Sequence, residues 1–144
     1  MEQNAPKEQK WTRVVRMRRK GGIIVQNCDV YIGRNMYQGG WRLKESKFFN
    51  PFKIQEYGSR AEVIRQYRAY LIDKIETTPK EWIPEILKLK GKSLGCWCSP
   101  DPCHGDVLVE FTTILNQITK MSKDQRQDAI ENFLKYQTAK VVKG

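Results

Sequence analysis

Ser93-Leu94-Gly95-Cys96-Trp97-Cys98-Ser99-Pro100-Asp101-Pro102-Cys103-His104-Gly105-Asp106 leads from a short apolar segment, through a proline-punctuated loop, into a strongly periodic stretch. The first part reads as a strand, Ser93 to Cys98, which the two prolines close. Beyond Asp106, the apolar residues Val107, Leu108, Phe111, Ile114, Leu115 and Ile118 fall on one stripe at helical spacing, the mark of a core helix. A strand and a helix joined this way need further elements to cover them.

Upstream, Thr12 to Arg18 reads as a first strand ahead of the Lys20-Gly21-Gly22 turn, and Cys28 to Ile32 as a second, closed by Gly33. Ser59 is placed to cap a helix, with Glu62 answering three residues later and Val63, Ile64, Tyr67 and Leu71 on its apolar face. Thr78-Pro79-Lys80-Glu81 repeats that pattern, and Pro84 removes a backbone donor soon after, so this helix is short or split. Ser122 to Gln125 opens a last helix with Ile130, Phe133 and Leu134 inward, before a frayed tail.

The order strand, strand, helix, short helix, strand, helix, helix predicts the α/β class: a small, mostly parallel sheet of about three strands flanked by helices, with a C-terminal helical extension. Residues 1–11 are expected to be a flexible basic N-terminus, 12–120 one α/β domain, and 121–144 the C-terminal helix and tail. The crossover between the second and third strands makes them parallel and right-handed. Their carboxyl ends then share one edge, where open α/β sheets bind ligands. That edge is expected to gather Gly33, Arg34 and the Asn50-Pro51-Phe52 turn beside Cys96, Cys98, Cys103 and His104.

The 144 residues carry 26 Lys and Arg against 16 Asp and Glu, a formal charge of +10. Residues 1–72 hold 15 basic and 6 acidic side chains and residues 73–144 hold 11 and 10, so the excess is local to the first half. Arg13, Arg16, Arg18, Arg19 and Lys20 form its densest run, and Arg34, Arg42, Lys44, Lys47, Lys53 and Arg60 follow in a Gly- and aromatic-rich stretch. Such a concentration suits a polyanion, a nucleotide or a nucleic acid, whose phosphates release counterions when neutralised; a solvated, solubilising face is the plainer reading. The 40% hydrophobic residues exclude a wholly disordered chain. No apolar run reaches the roughly 20 residues of a membrane span, and Met1 to Lys10 is polar. The chain is expected to avoid membranes and export, and to act in the cytoplasm or, if viral, in host cytoplasm or virion.

Three of the four cysteines and the only histidine fall within nine residues, Cys96 to His104. Cys96, Cys98, Cys103 and His104 form a recognised Zn donor set, so zinc is an expected cofactor, although a Cys-x-Cys pair and two adjacent ligands are tighter than the usual knuckle. A second reading makes Cys103 a reactive thiol at a helix N-terminus, with His104 and Asp106 close by for proton transfer. A third is purely structural, with Cys96 and Cys103 filling space and Asp106 capping the helix. A disulfide is disfavoured by the absence of a secretion signal. Cys28 reads as a buried strand residue, and Trp97 as a core residue on the opposite sheet face.

The motifs Val30-Tyr31-Ile32-Gly33-Arg34, Asn50-Pro51-Phe52 and Cys-Trp-Cys-x-x-x-Pro-Cys-His-Gly-Asp occur in that order. With them the chain, from about Val14 to Leu115, resembles domain-of-unknown-function family 4326, small proteins of bacteria, phages and large DNA viruses. The resemblance implies that Gly33, Arg34, Asn50, Pro51, Phe52, Gly58 and Arg60 match the family pattern. So do Cys96, Cys98, Pro102, Cys103, His104, Gly105 and Asp106. It implies no particular reaction. Asn35 to Phe49 is expanded relative to that pattern, and the helix after Ser122 and the basic N-terminus are additions.

The expected function is a Cys/His-lined crevice, organised around Zn, that handles a nucleotide or nucleic-acid phosphate group. In an enzymatic version Arg34 holds phosphate, Asn50 and Phe52 hold base or sugar, Arg60 shares the rim, and Cys103, His104 or Asp106 attacks or transfers a proton. The alternative is a non-catalytic nucleic-acid-binding or virion-associated interaction protein in which the Cys/His cluster only staples the fold.

Overall fold

The computed structural model describes residues 11–143. The segment expected to be flexible, 1–11, lies outside the described residues except for Trp11. In chain order the elements are β1 (Arg13–Arg16), β2 (Arg18–Lys20), β3 (Ile23–Gln26), β4 (Val30–Tyr31), α1 (Ile54–Tyr57), α2 (Arg60–Thr77), α3 (Pro79–Leu87), β5 (Ser93–Cys96), α4 (His104–Ile118) and α5 (Lys123–Lys143).

The last strand in the chain is the centre of the sheet. β5 lies between β1 and β4 and runs parallel to both. Arg13 pairs with Ser93 and Arg16 with Cys96 on one side, while Val30 pairs with Leu94 and Tyr31 with Gly95 on the other. A central strand is covered on both faces, and all four β5 residues are buried. The crossover from β4 to β5 passes through α1, α2 and α3, so the sheet is α/β and parallel as the sequence predicts.

Ser59 caps α2 by accepting the Glu62 N–H at 3.1 Å, and the helix buries Val63, Tyr67, Leu71, Ile72 and Ile75. α4 packs on β1 and against α2, α3 and α5, placing Val107, Leu108, Phe111, Leu115 and Ile118 in one core with Ile32 and Leu94.

The structure differs from the sequence reading in four places. The single strand expected over Thr12 to Arg18 is two, β1 and β2. β2 turns through Gly21 and Gly22, both at positive φ, into the unforeseen β3, and the pair forms an antiparallel ribbon outside the sheet. Thr78 does not cap α3; its hydroxyl donates back to the Lys74 carbonyl at 3.0 Å and finishes α2. α3 is short, as the sequence predicts, and Pro84 does not split it, because the carbonyl it leaves without a partner belongs to Lys80, an exposed residue. α5 is helical to Lys143 where a frayed tail was expected, held by buried Phe133 and Gln137. Finally, β5 ends at Cys96, so the strand alternation that put Trp97 in the core does not reach it.

Candidate functional site

At the carboxyl edge of β4 and β5 the chain encloses a pocket of about 340 Å³. Gly33 and Arg34 arrive from β4, Asn50 and Phe52 from the following turn, Arg60 from α2, and Cys98, Cys103 and His104 from the loop and helix after β5. The shared edge predicted from the parallel crossover is thus realised, and every residue assigned to it except Pro51 and Cys96 lines the pocket.

Arg34 is fixed from three sides. Its guanidinium donates to the Asn50 carbonyl at 2.5 Å and lies 5.7 Å from the Phe49 ring centroid, while its own carbonyl accepts the Tyr31 hydroxyl at 2.6 Å. Gly33 has no room for a side chain, since a Cβ there would lie 2.6 Å from Tyr31 Cζ. Asn50 lines the pocket, but its side chain is spent on the turn: Oδ1 accepts the Phe52 N–H at 3.0 Å and Nδ2 donates to the Val63 carbonyl at 3.4 Å. Phe52 packs edge-on against Tyr57 and Tyr70. Arg60 donates to the Pro102 carbonyl at 3.4 Å and faces the Cys98 thiol.

Trp97 was expected in the core and is instead half-buried pocket wall. Its indole N–H donates to the Tyr31 hydroxyl at 2.9 Å, and its ring meets Trp41 edge-on at 5.2 Å. The reason is the strand end at Cys96, after which the backbone turns the indole toward β4. Met36, Ile54, Val63 and Ile64 complete the apolar wall, and the sequence assigned none of them to the site, reading Val63 and Ile64 only as the apolar face of α2. Met36 lies within the expanded 35–49 segment and Ile54 shortly after it, where no periodicity marks them.

Cys103 is the N-cap of α4. Its sulfur accepts the Gly105 N–H at 3.3 Å, and its N–H donates to Asp106 Oδ2 at 3.0 Å, a reciprocal capping box. The Cys96 sulfur lies 3.4 Å away. The hydrogen bond from Cys96, with the Gly105 amide, holds the Cys103 pKa below the ordinary thiol value against the opposing effect of burial. Cys96 moves the other way, raised first by that same contact. Cys98 is pushed up strongly, first by its hydrogen bond to Cys96 and then by desolvation. Of the three sulfurs Cys103, at the helix N-terminus, is therefore the first to ionise as pH rises.

His104 does not join them. Its Nε2 lies 2.7 Å from the Ile32 carbonyl, and its ring packs edge-on against Tyr67 at 4.8 Å. A carbonyl only accepts, so Nε2 carries the proton; burial lowers the His104 pKa, and the ring is neutral at neutral pH. A tetrahedral zinc needs four donors turned to one point about 2.0–2.3 Å away, and His104 Nε2 is engaged by the Ile32 carbonyl. Among the described residues no group of three or more His, Cys, Asp or Glu side chains is arranged to hold a metal ion. Asp106, expected as a proton-transfer group, is held by the Cys103 N–H at the cap. Cys28 is only half-buried, just ahead of β4, and its sulfur packs over Gly95.

These features define a small α/β domain with a parallel sheet and a thiol-lined, arginine-flanked pocket at its carboxyl edge. The chain belongs to the family described as Domain of unknown function (DUF4326), whose model matches residues 15–114. It is 38% identical over 112 residues to "Uncharacterized protein R718" of Acanthamoeba polyphaga mimivirus, covering 72% of this chain and 82% of that protein. It is 33% identical over 78 residues to "Uncharacterized 12.4 kDa protein in nrdA-td intergenic region" of Enterobacteria phage T4, covering 51% of this chain and 64% of that one. No solved structure matches the chain. Among the described residues no helix is long and apolar enough to cross a membrane.

Proposed function

We propose that the pocket binds a small nucleotide through its phosphate group. One observation carries this reading: Arg34 and Arg60 enter the same pocket, and no carboxylate is among the described residues that line it. Two guanidiniums without a counter-charge offer forked donors to a phosphate. The volume of about 340 Å³ falls in the range of small-ligand sites, about 300–1,000 Å³. Beside the arginines, Met36, Phe52, Ile54, Val63 and Ile64 supply an apolar wall for base or sugar. Cys103 lines the same space, and the reading does not require any chemistry from it.

Titration calorimetry with nucleoside monophosphates tests it, with Trp97 fluorescence as a second signal from the pocket wall. Arg34→Ala and Arg60→Ala are each expected to weaken binding about tenfold or more, the worth of a charge-assisted hydrogen bond. Wild-type protein that binds no nucleoside monophosphate, or variants that bind as wild type does, would overturn the reading. The latter result would favour a cluster of cysteines that only staples the fold.

A further inference from the structure

We propose that the β2–β3 ribbon and the loop over residues 33–44 form a track for a single-stranded nucleic acid, one nucleotide of which enters the pocket. The inference rests on the nucleotide reading above and extends it from a free nucleotide to a strand.

Charge is the first support. From Thr12 to Lys44 the chain has eight Lys and Arg residues and one carboxylate, Asp29. That carboxylate is occupied by Ser93, whose N–H and hydroxyl donate to it at 2.8 and 3.1 Å. Among the described residues none of the eight forms an ion pair.

Shape is the second. The ribbon pairs with no other strand among the described residues, so its outer edges are unpaired. Arg18 and Lys20 are exposed on β2, and Ile23, Ile24 and Val25 are 69%, 47% and 55% exposed on β3. Basic groups for phosphates lie on one strand of the ribbon and apolar groups on the other, while the aromatic stacking faces that single-strand binders use come from the loop. A second cavity of about 250 Å³ opens at the foot of the ribbon, lined by Arg16, Arg18 and Gln26 on one side and Ser99 and Pro100 on the other. The same loop presents Cys98 and Pro102 to the nucleotide pocket, so the two cavities flank it.

Continuity is the third. Arg19 Cζ lies 5.8 Å from the Trp41 ring centroid, and a Cβ on Gly39 would come within 3.0 Å of Arg19 Nη1, so ribbon and loop are closely packed. Trp41 in turn meets Trp97, which is pocket wall. Tyr37, 61% exposed on that loop, offers a stacking face. An acidic peptide would use the charges and leave the apolar and aromatic surface idle. A duplex could not release a nucleotide into a pocket of this size without unpairing.

Fluorescence anisotropy with labelled, mixed-sequence DNA and RNA strands of about a dozen nucleotides, over a range of salt, tests the track. Either strand is expected to bind more tightly than a mononucleotide. Arg16→Gln with Arg18→Gln should lower the slope of log K against log salt by about 1.4, since each phosphate contact to a single strand contributes about 0.7. That double variant should keep wild-type mononucleotide binding, which also reports that it is folded. Tyr37→Ala should weaken strand binding about tenfold without changing the slope. The track is overturned if neither strand binds, if the double variant keeps the wild-type slope, or if a duplex of the same sequence binds equally well. Strand binding whose salt slope falls in the double variant, in a protein that binds no mononucleotide, upholds the ribbon and loop as the track and overturns the pocket reading, and with it the entry of a nucleotide into the pocket.

Discussion

The Cys96 and Cys103 sulfurs stand 3.4 Å apart, one at the end of the central strand and the other capping the helix that follows. Because the Cys96 hydrogen bond is the largest influence lowering the Cys103 pKa, removing it has a signed consequence. In wild type, the Cys103 thiolate persists to lower pH than an ordinary thiol. Cys96→Ala removes the donor and moves the titration up, whereas Cys96→Ser retains an O–H donor and largely preserves it. Alkylation by a small haloacetamide, mapped by mass spectrometry across pH, reads both shifts. Cys98, raised by its own bond to Cys96, should react only at higher pH. Identical Cys103 profiles in wild type and Cys96→Ala would remove Cys96 as the cause.

His104 answers to Ile32 rather than to the sulfurs, and this fixes what metal analysis should find. Elemental analysis of protein purified under reducing conditions is expected to give the same zinc content for wild type and His104→Gln. Any zinc lost on Cys98→Ala or Cys103→Ala would then rest on thiols alone. A stoichiometric zinc that disappears in His104→Gln would mean that the ring leaves the Ile32 carbonyl to complete a four-donor set.

Gly95 is the point where the central strand has no room for a side chain. A Cβ there would clash with Cys28 Sγ and lie 2.7 Å from Met17 Sδ. Gly95→Ala is expected to cost about 1–3 kcal/mol, the range for overpacking a filled core. Adding Cys28→Ala should recover part of that loss, because one of the two obstructing sulfurs is gone. A double-mutant cycle by urea denaturation measures the recovery as a coupling energy. Strictly additive losses would show that Cys28 does not limit the space.

The elements that the sequence makes legible are those whose signals are local. Ser59 and Glu62 sit within one turn of each other, the α4 stripe repeats every three or four residues, and Cys103 and Asp106 form one cap. The shared edge was legible because a parallel crossover leaves no other place for the loops after Ile32 and after β5. What escaped depends on distant or absent contacts. Ile23, Ile24 and Val25 form a strand without a buried face, so no alternation betrays it. The His104 ring is aimed by a carbonyl 72 residues away, and nothing near His104 encodes that. Trp97 was misplaced because strand alternation was carried two residues beyond the last paired position.

The same limit hid the polar joint that holds the C-terminal helix. Glu110 on α4 accepts from Arg68 of α2 at 3.1 Å and from Gln137 and Lys140 of α5, both at 2.7 Å, and Arg68 also bonds to the Gln137 side-chain oxygen. Gln137 is fully buried, so its amide has no water to fall back on. Hydrogen bonds and ion pairing outweigh desolvation and hold the Glu110 pKa below the usual carboxylate value. Glu110→Ala leaves a guanidinium, an amide and an ammonium without their common acceptor, and leaving partly buried charge unpaired costs more than losing a surface pair. The expected result is a loss of about 2–4 kcal/mol, with hydrogen exchange rising first along α5 and only later in β5. Gln137→Leu, which removes the buried polar group along with its partners' need to reach it only in part, should cost less than Glu110→Ala. Uniform exchange across α5 and β5 in Glu110→Ala would mean that α5 unfolds with the core and is not a separately anchored element.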